Sequence, residues 1–129
     1  MPLKLSLTKG ERLVVNGAVI KNDGPDTSLV FENRAHILRQ KDIMTNEDAS
    51  TPARRVYLAV QCAYMFPERQ SEHLQTFRTM LDDFLEAAPS SAELARTLGT
   101  FADRGDLYGA LKECRKLIEH ETEILEHVK

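Results

Sequence analysis

The hydrophobic period changes once along this 129-residue chain, and no fold built on a single period can satisfy both parts. Over the first forty or so residues the period is two. Leu3, Leu5 and Leu7 alternate with Lys4 and Ser6, the pattern of a strand with one buried face. Leu13-Val14-Val15 and Ala18-Val19-Ile20 flank Asn16-Gly17. An Asn-Gly pair between β-branched runs is the strongest short-range hairpin signal, because a type I′ turn needs positive φ at both central residues. A longer turn at Asn22 to Asp26 follows, and Ser28–Phe31 and Ala35–Leu38 complete about five strands, with no room for a helix of useful length.

The polar stretch 44–51 separates this region from one of period 3.6. Thr51-Pro52 is a helix start: a hydroxyl to accept an orphan N–H, then proline where no N–H is needed. This helix should run to about Phe66 and be central, since Val56 to Met65 is apolar on nearly every side. Pro67 stops it. A second helix begins near Glu68 and carries Leu74, Phe77, Leu81, Phe84 and Ala88. Ser90 to Glu93 reads as a capping box with Ser90 at the N-cap. The third helix, with Leu94, Leu98 and Phe101, ends at Arg104-Gly105. Asp106 caps a fourth, whose apolar face comprises Leu107, Leu111, Cys114, Ile118, Leu125 and Val128. The turn between the last two, Ala102 to Leu111, looks like that of a tetratricopeptide-type hairpin, present once and therefore no repeat array. The expected class is α+β: a small N-terminal antiparallel sheet or barrel of about five strands (1–46), then a four-helix domain (51–129). So short a sheet exposes its edges, so a dimer formed through it, or packing of the sheet on helix 52–66, is expected.

Composition excludes several classes of function. With 42% apolar and 29% charged residues the chain is ordinary for a globular protein, and no apolar run approaches the roughly 20 residues of a membrane span. The N-terminus lacks the continuous apolar core of a signal peptide, so a cytoplasmic protein is expected. Cys62 and Cys114 form no C-x-x-C pair and read as buried, reduced thiols. Phosphate-cradling, nucleophile-elbow and zinc-protease motifs are all absent. His120 and His127, with Glu123 between them, read as surface charge, and Glu119, Glu121, Glu123 and Glu126 as a solvated face. No catalytic residue, metal or cofactor is assigned. Charge is uneven: residues 1–46 hold seven Lys and Arg against five Asp and Glu, while the remaining 83 hold ten against fifteen. A phosphate backbone, if this chain meets one, meets the first part.

Two blocks carry a family resemblance. Met1-Pro2-Leu3-Lys4-Leu5-Ser6-Leu7 followed by Lys9-Gly10-Glu11-Arg12-Leu13-Val14-Val15-Asn16-Gly17-Ala18-Val19-Ile20 is one. Ile37 to Met44, leading to Thr51-Pro52-Ala53-Arg54-Arg55-Val56-Tyr57, is the other. Both resemble the FlbT family of flagellin regulators in α-proteobacteria, over essentially the whole chain. The resemblance implies a post-transcriptional regulator acting on the leader of flagellin mRNA, more often a repressor, with a FlaF-type flagellar protein as functional partner. The β module is also similar, more weakly, to carbon-storage-regulator proteins, five-stranded dimeric RNA binders. Their closing strand ends in Arg-x-x-Ile, echoed by Arg39-Gln40-Lys41-Asp42-Ile43. That likeness implies RNA contact at Arg39, whereas Leu7 and Thr8 stand where those proteins carry arginines.

From these readings Lys4, Arg12, Arg34, Arg39 and Lys41 form a candidate RNA-binding patch. A period-2 extension of the last strand would set Arg39 and Lys41 on one face. Phe31, the sole aromatic in the first fifty residues, should face the core rather than offer a base-stacking platform. The competing reading is a protein-binding adaptor whose helical domain docks a flagellar assembly partner and affects mRNA indirectly.

Overall fold

A computed structural model describes residues 3–128; the side chain of Val128, expected on the apolar face of the last helix, lies outside the described residues, as do Met1 and Pro2 of the first resemblance block. The chain divides into two compact units, the first ending at Ile43 and the second beginning at Met44.

The first unit holds five strands: β1 (Leu3–Leu7), β2 (Arg12–Val15), β3 (Ala18–Lys21), β4 (Thr27–Phe31) and β5 (Ile37–Arg39). They form two antiparallel sheets, β1 with β4 and a three-stranded sheet in the order β3-β2-β5. Asn16 and Gly17 sit at φ +50° and +85°, as the hairpin signal requires. Asn22 folds the longer turn with its side chain: Nδ2 donates to the carbonyls of Leu7, Thr8 and Pro25, and Oδ1 accepts from the Gly24 amide. Leu5, Leu7 and Leu13 form the core, with Val15, Leu29, Phe31 and Ile37 packed against them, so both sheets share one small apolar centre. Phe31 faces it as the sequence requires. The last strand is displaced from Ala35–Leu38 to Ile37–Arg39, and Gln40–Asp42 winds into a 3-10 turn closed by the Ile43 amide on the Gln40 carbonyl. The expected extension of β5 through Lys41 therefore does not form.

The second unit consists of α1 (Pro52–Met65), α2 (Gln70–Ala87), α3 (Ala92–Asp103) and α4 (Leu107–Val128). Thr51 caps α1, its Oγ1 accepting from the Arg54 amide at 3.3 Å. α1 is central, packing on both α2 and α4, and buries Val56, Tyr57, Ala59, Val60 and Ala63. Gln61 is buried with them, and its side-chain amide both donates to and accepts from the backbone of Met44, at 2.9 and 2.8 Å. This pairing joins Met44 to the helices. α3 packs on α4 across a tight connection in which Gly105 takes φ +77° and Asp106 Oδ1 caps the Gly109 amide at 2.9 Å.

Three expectations about the helices need correction. The capping box at Ser90 does not form: Pro89 opens a 3-10 turn over Pro89–Ser91, the N-cap falls on Ser91 with no side-chain cap bond, and Ser90 Oγ meets His120 Nε2 instead. On α4 the buried stripe runs through Leu107, Ala110, Leu111, Cys114 and Leu117, while Leu125 is half exposed. Glu121 leaves the expected solvated acidic face. It is buried, and its Oε2 accepts from the Ala53 amide at 2.9 Å, satisfying an orphan N–H in the first turn of α1.

Candidate nucleic-acid interface

Strand register decides which cations can share a surface, because residues paired across a ladder point to the same side of the sheet. In the three-stranded sheet Leu13 pairs with both Ile20 and Arg39, so Arg39 emerges on the core side. Its Nη2 donates to the Ser6 carbonyl of β1 at 3.0 Å and lies 3.9 Å from the Glu11 carboxylate. Arg39 is thus a tie within the β unit. Arg12 pairs with Lys21, on the opposite side together with Val14, Val19 and Leu38. Lys4 is exposed on the outer side of the other sheet, across from Val30. Arg34 is exposed in the loop between β4 and β5, and Lys41 is exposed in the 3-10 turn.

The five expected residues are therefore not assembled into one patch. Register separates Arg12 from Arg39, and the 3-10 turn breaks the alternation that would align Arg39 with Lys41. What the register does assemble is Arg12 with Lys21, a residue outside the expected set. The signal for this pair was present in the sequence: a two-residue hairpin at Asn16-Gly17 sets position 12 opposite 21 once the strands are counted back from the turn.

The helical unit offers a different surface. A groove of about 490 Å³ lies between the start of α1, the end of α2 and the end of α4, lined mainly by apolar residues such as Pro52, Met80, Phe84, Ile124 and Leu125, with Arg55, Asp83 and Glu121 among them. Cys62 and Cys114 take no part in it. Burial pushes both thiols above their ordinary range, aided at Cys114 by the neighbouring Glu113 charge, which opposes thiolate formation. Among the described residues no group of His, Cys, Asp and Glu is placed to hold a metal ion, and no helix is long and apolar enough to cross a membrane.

The molecule so defined is a small α+β protein with a β unit bearing exposed cations and a helical unit bearing an apolar groove. Residues 3–125 match the family described as "Flagellar protein FlbT", and the chain belongs to that family. It is 40% identical over 125 residues to a protein of Bradyrhizobium diazoefficiens named "Probable flagellum biosynthesis repressor protein FlbT 1", covering 96% of this chain and 85% of that one. It is 38% identical over 130 residues to the "Flagellum biosynthesis repressor protein FlbT" of Caulobacter vibrioides, covering 99% and 92%. No solved structure matches.

Proposed function

We propose that this protein represses flagellum biosynthesis by binding the 5′ leader of flagellin mRNA through its β unit, limiting translation and favouring decay. The observation that carries this reading is the set of exposed cations on the β unit, Lys4, Arg12, Lys21 and Arg34, in a chain whose relatives are named flagellum biosynthesis repressors. Those cations suit phosphates, and the half-buried Phe31 offers no platform for a splayed base. Binding of this kind is dominated by the RNA backbone, so affinity should fall steeply with salt and respond weakly to base changes. Each phosphate contacted on a single strand contributes about −0.7 to the slope of log affinity against log salt. Titrating the full chain with leader RNA and with a scrambled RNA at several salt concentrations tests the reading. Salt-independent binding, or none, would sink it.

The groove on the helical unit favours a second reading, a protein-docking adaptor for a flagellar assembly partner. Apolar docking is insensitive to salt, so the same titration run with a candidate partner separates the two. A dimer joined through the β unit would double the cationic surface and raise avidity without any new contact. Light scattering of the full chain tests that.

A further inference from the structure

Of the ladder positions in the two sheets, Arg12 with Lys21 is the one at which two charged residues face each other, and the charges have the same sign. Directly opposed like charges weaken a sheet, and a Glu at either place would instead strengthen the hairpin. Both side chains are exposed, and neither has an ion-pair partner among the described residues. Two acids near in sequence are committed elsewhere: Glu11 accepts from Thr8 and faces Arg39, and Asp26 accepts from the Lys9 amide. Meanwhile the Arg12 backbone is fixed, its amide donating to Gln40 Oε1. The hairpin thus holds two cations about 5 Å apart at the backbone, at a cost in stability and with no ion pair to offset it.

We infer that Arg12 and Lys21 form a phosphate clamp for the RNA backbone. The inference rests on the RNA reading above and locates its main contact. Arg presents a planar fork of donors to the non-bridging oxygens, and Lys adds a mobile point charge, so together they hold one phosphodiester or two adjacent ones. Val19 lies on the same side of β3, two residues from Lys21 and 64% exposed. It gives the sugar or base beside the held phosphate an apolar surface to rest on. A carboxylate ligand would use the cations alike but would leave Val19 without a role.

The sign of the stability change makes the test sharp. Lys21→Glu turns a repelling cross-strand pair into an attracting one, so the full-length variant should melt at the same or a higher temperature than wild type. Its affinity for the flagellin leader should drop about tenfold or more, equally for a scrambled RNA, with a salt slope shallower by about one. Arg12→Gln and Lys21→Gln, which only remove charge, should each give a smaller loss in the same direction. Arg96→Glu makes the same change in net charge on the exposed surface of α3 and should leave affinity within about twofold. Wild-type affinity in Lys21→Glu, with wild type itself binding RNA, overturns the clamp and leaves the RNA reading standing. An equal loss in Arg96→Glu overturns it too, since net charge alone would then suffice. A lowered melting temperature in both Gln variants would make the pair structural and overturn the clamp as well. If wild type fails to bind either RNA, the RNA reading falls and the clamp with it.

Discussion

The two units solve opposite problems. The helical unit buries its chemistry: α1 sits between α2 and α4, and even polar Gln61 and acidic Glu121 are enclosed and bonded to backbone. The β unit leaves its chemistry outside. Its buried residues are few, Leu5, Leu7, Leu13, Val14 and Leu38 with a half-buried rim, every residue of β3 is exposed, and Val19, Ile20 and Val30 face outward along with most of its cations. A region that keeps like charges opposed and apolar residues exposed is spending stability on a surface, whereas the helical unit supplies packing. Substitutions should divide accordingly, with folding lost in one unit and binding in the other.

The sharpest way to break that division is a matched pair. Val60→Asp strands a charge on the fully buried side of α1 and should cost about 3–5 kcal/mol, enough to leave the chain largely unfolded. Val19→Asp places the same charge on β3, where the loss of strand propensity and of the pairing with Val14 should cost about 1 kcal/mol. Urea unfolding followed by circular dichroism measures both. Equal costs would erase the contrast between the units.

A smaller effect probes what the enclosed polar groups contribute. Glu121→Ala removes the acceptor for the Ala53 amide, in a residue that is completely buried while Glu121 is in place. Leaving that donor unpaired should cost about 1–3 kcal/mol, while Glu121→Gln, which keeps an acceptor, should recover most of it. Smaller still is the effect of Gly109→Ala. A Cβ there would lie 2.5 Å from Asp106 Oδ2 and 2.8 Å from Phe101 Cδ1, so the capping aspartate of α4 would have to move. Losing the cap would cost about 1 kcal/mol, but alanine's better helix propensity recovers a similar amount, so a net loss of no more than about 0.5 kcal/mol is expected. A clearly raised melting temperature, with the propensity gain unopposed, would mean that the α3–α4 connection is looser than its geometry.

These cases also mark what the sequence could reveal. The succession of five short strands, the Asn16-Gly17 turn, the Thr51-Pro52 start and the central position of α1 were legible because each rests on local spacing. The partners of Glu121, Gln61 and Arg39 lie 68, 17 and 33 residues away, and no periodicity carries information over such separations. The capping box failed for a local reason of a different kind. Pro89 favours a tight turn that moves the helix start by one residue, and a pattern match at Ser90 cannot register that shift. Among the candidate cations, exposure could be read from hydrophilicity alone. Which of them share a surface required the register, and which are already occupied required the fold.

Arg39 is where this last distinction is tested most finely. Read from sequence, it is a surface cation whose loss should weaken RNA binding and leave stability alone. Read from structure, its guanidinium links β5 to the Ser6 carbonyl of β1 and lies near Glu11, so its first role is to hold the two sheets of the β unit together. The side chain is 39% exposed, so solvent weakens both interactions, and Arg39→Ala should cost only about 0.5–1 kcal/mol. Arg34→Ala, in the exposed loop, should cost less than about 0.5 kcal/mol. For RNA the order should reverse. Arg39→Ala should keep affinity within about twofold of wild type, and Arg34→Ala should lower it modestly with a shallower salt slope. Thermal melts and leader RNA titrations on the two variants give four numbers that must fall in this crossed pattern. A full melting temperature together with lost RNA affinity in Arg39→Ala would show that its bond to Ser6 yields to the RNA, and the β unit would then use one arginine for both tasks.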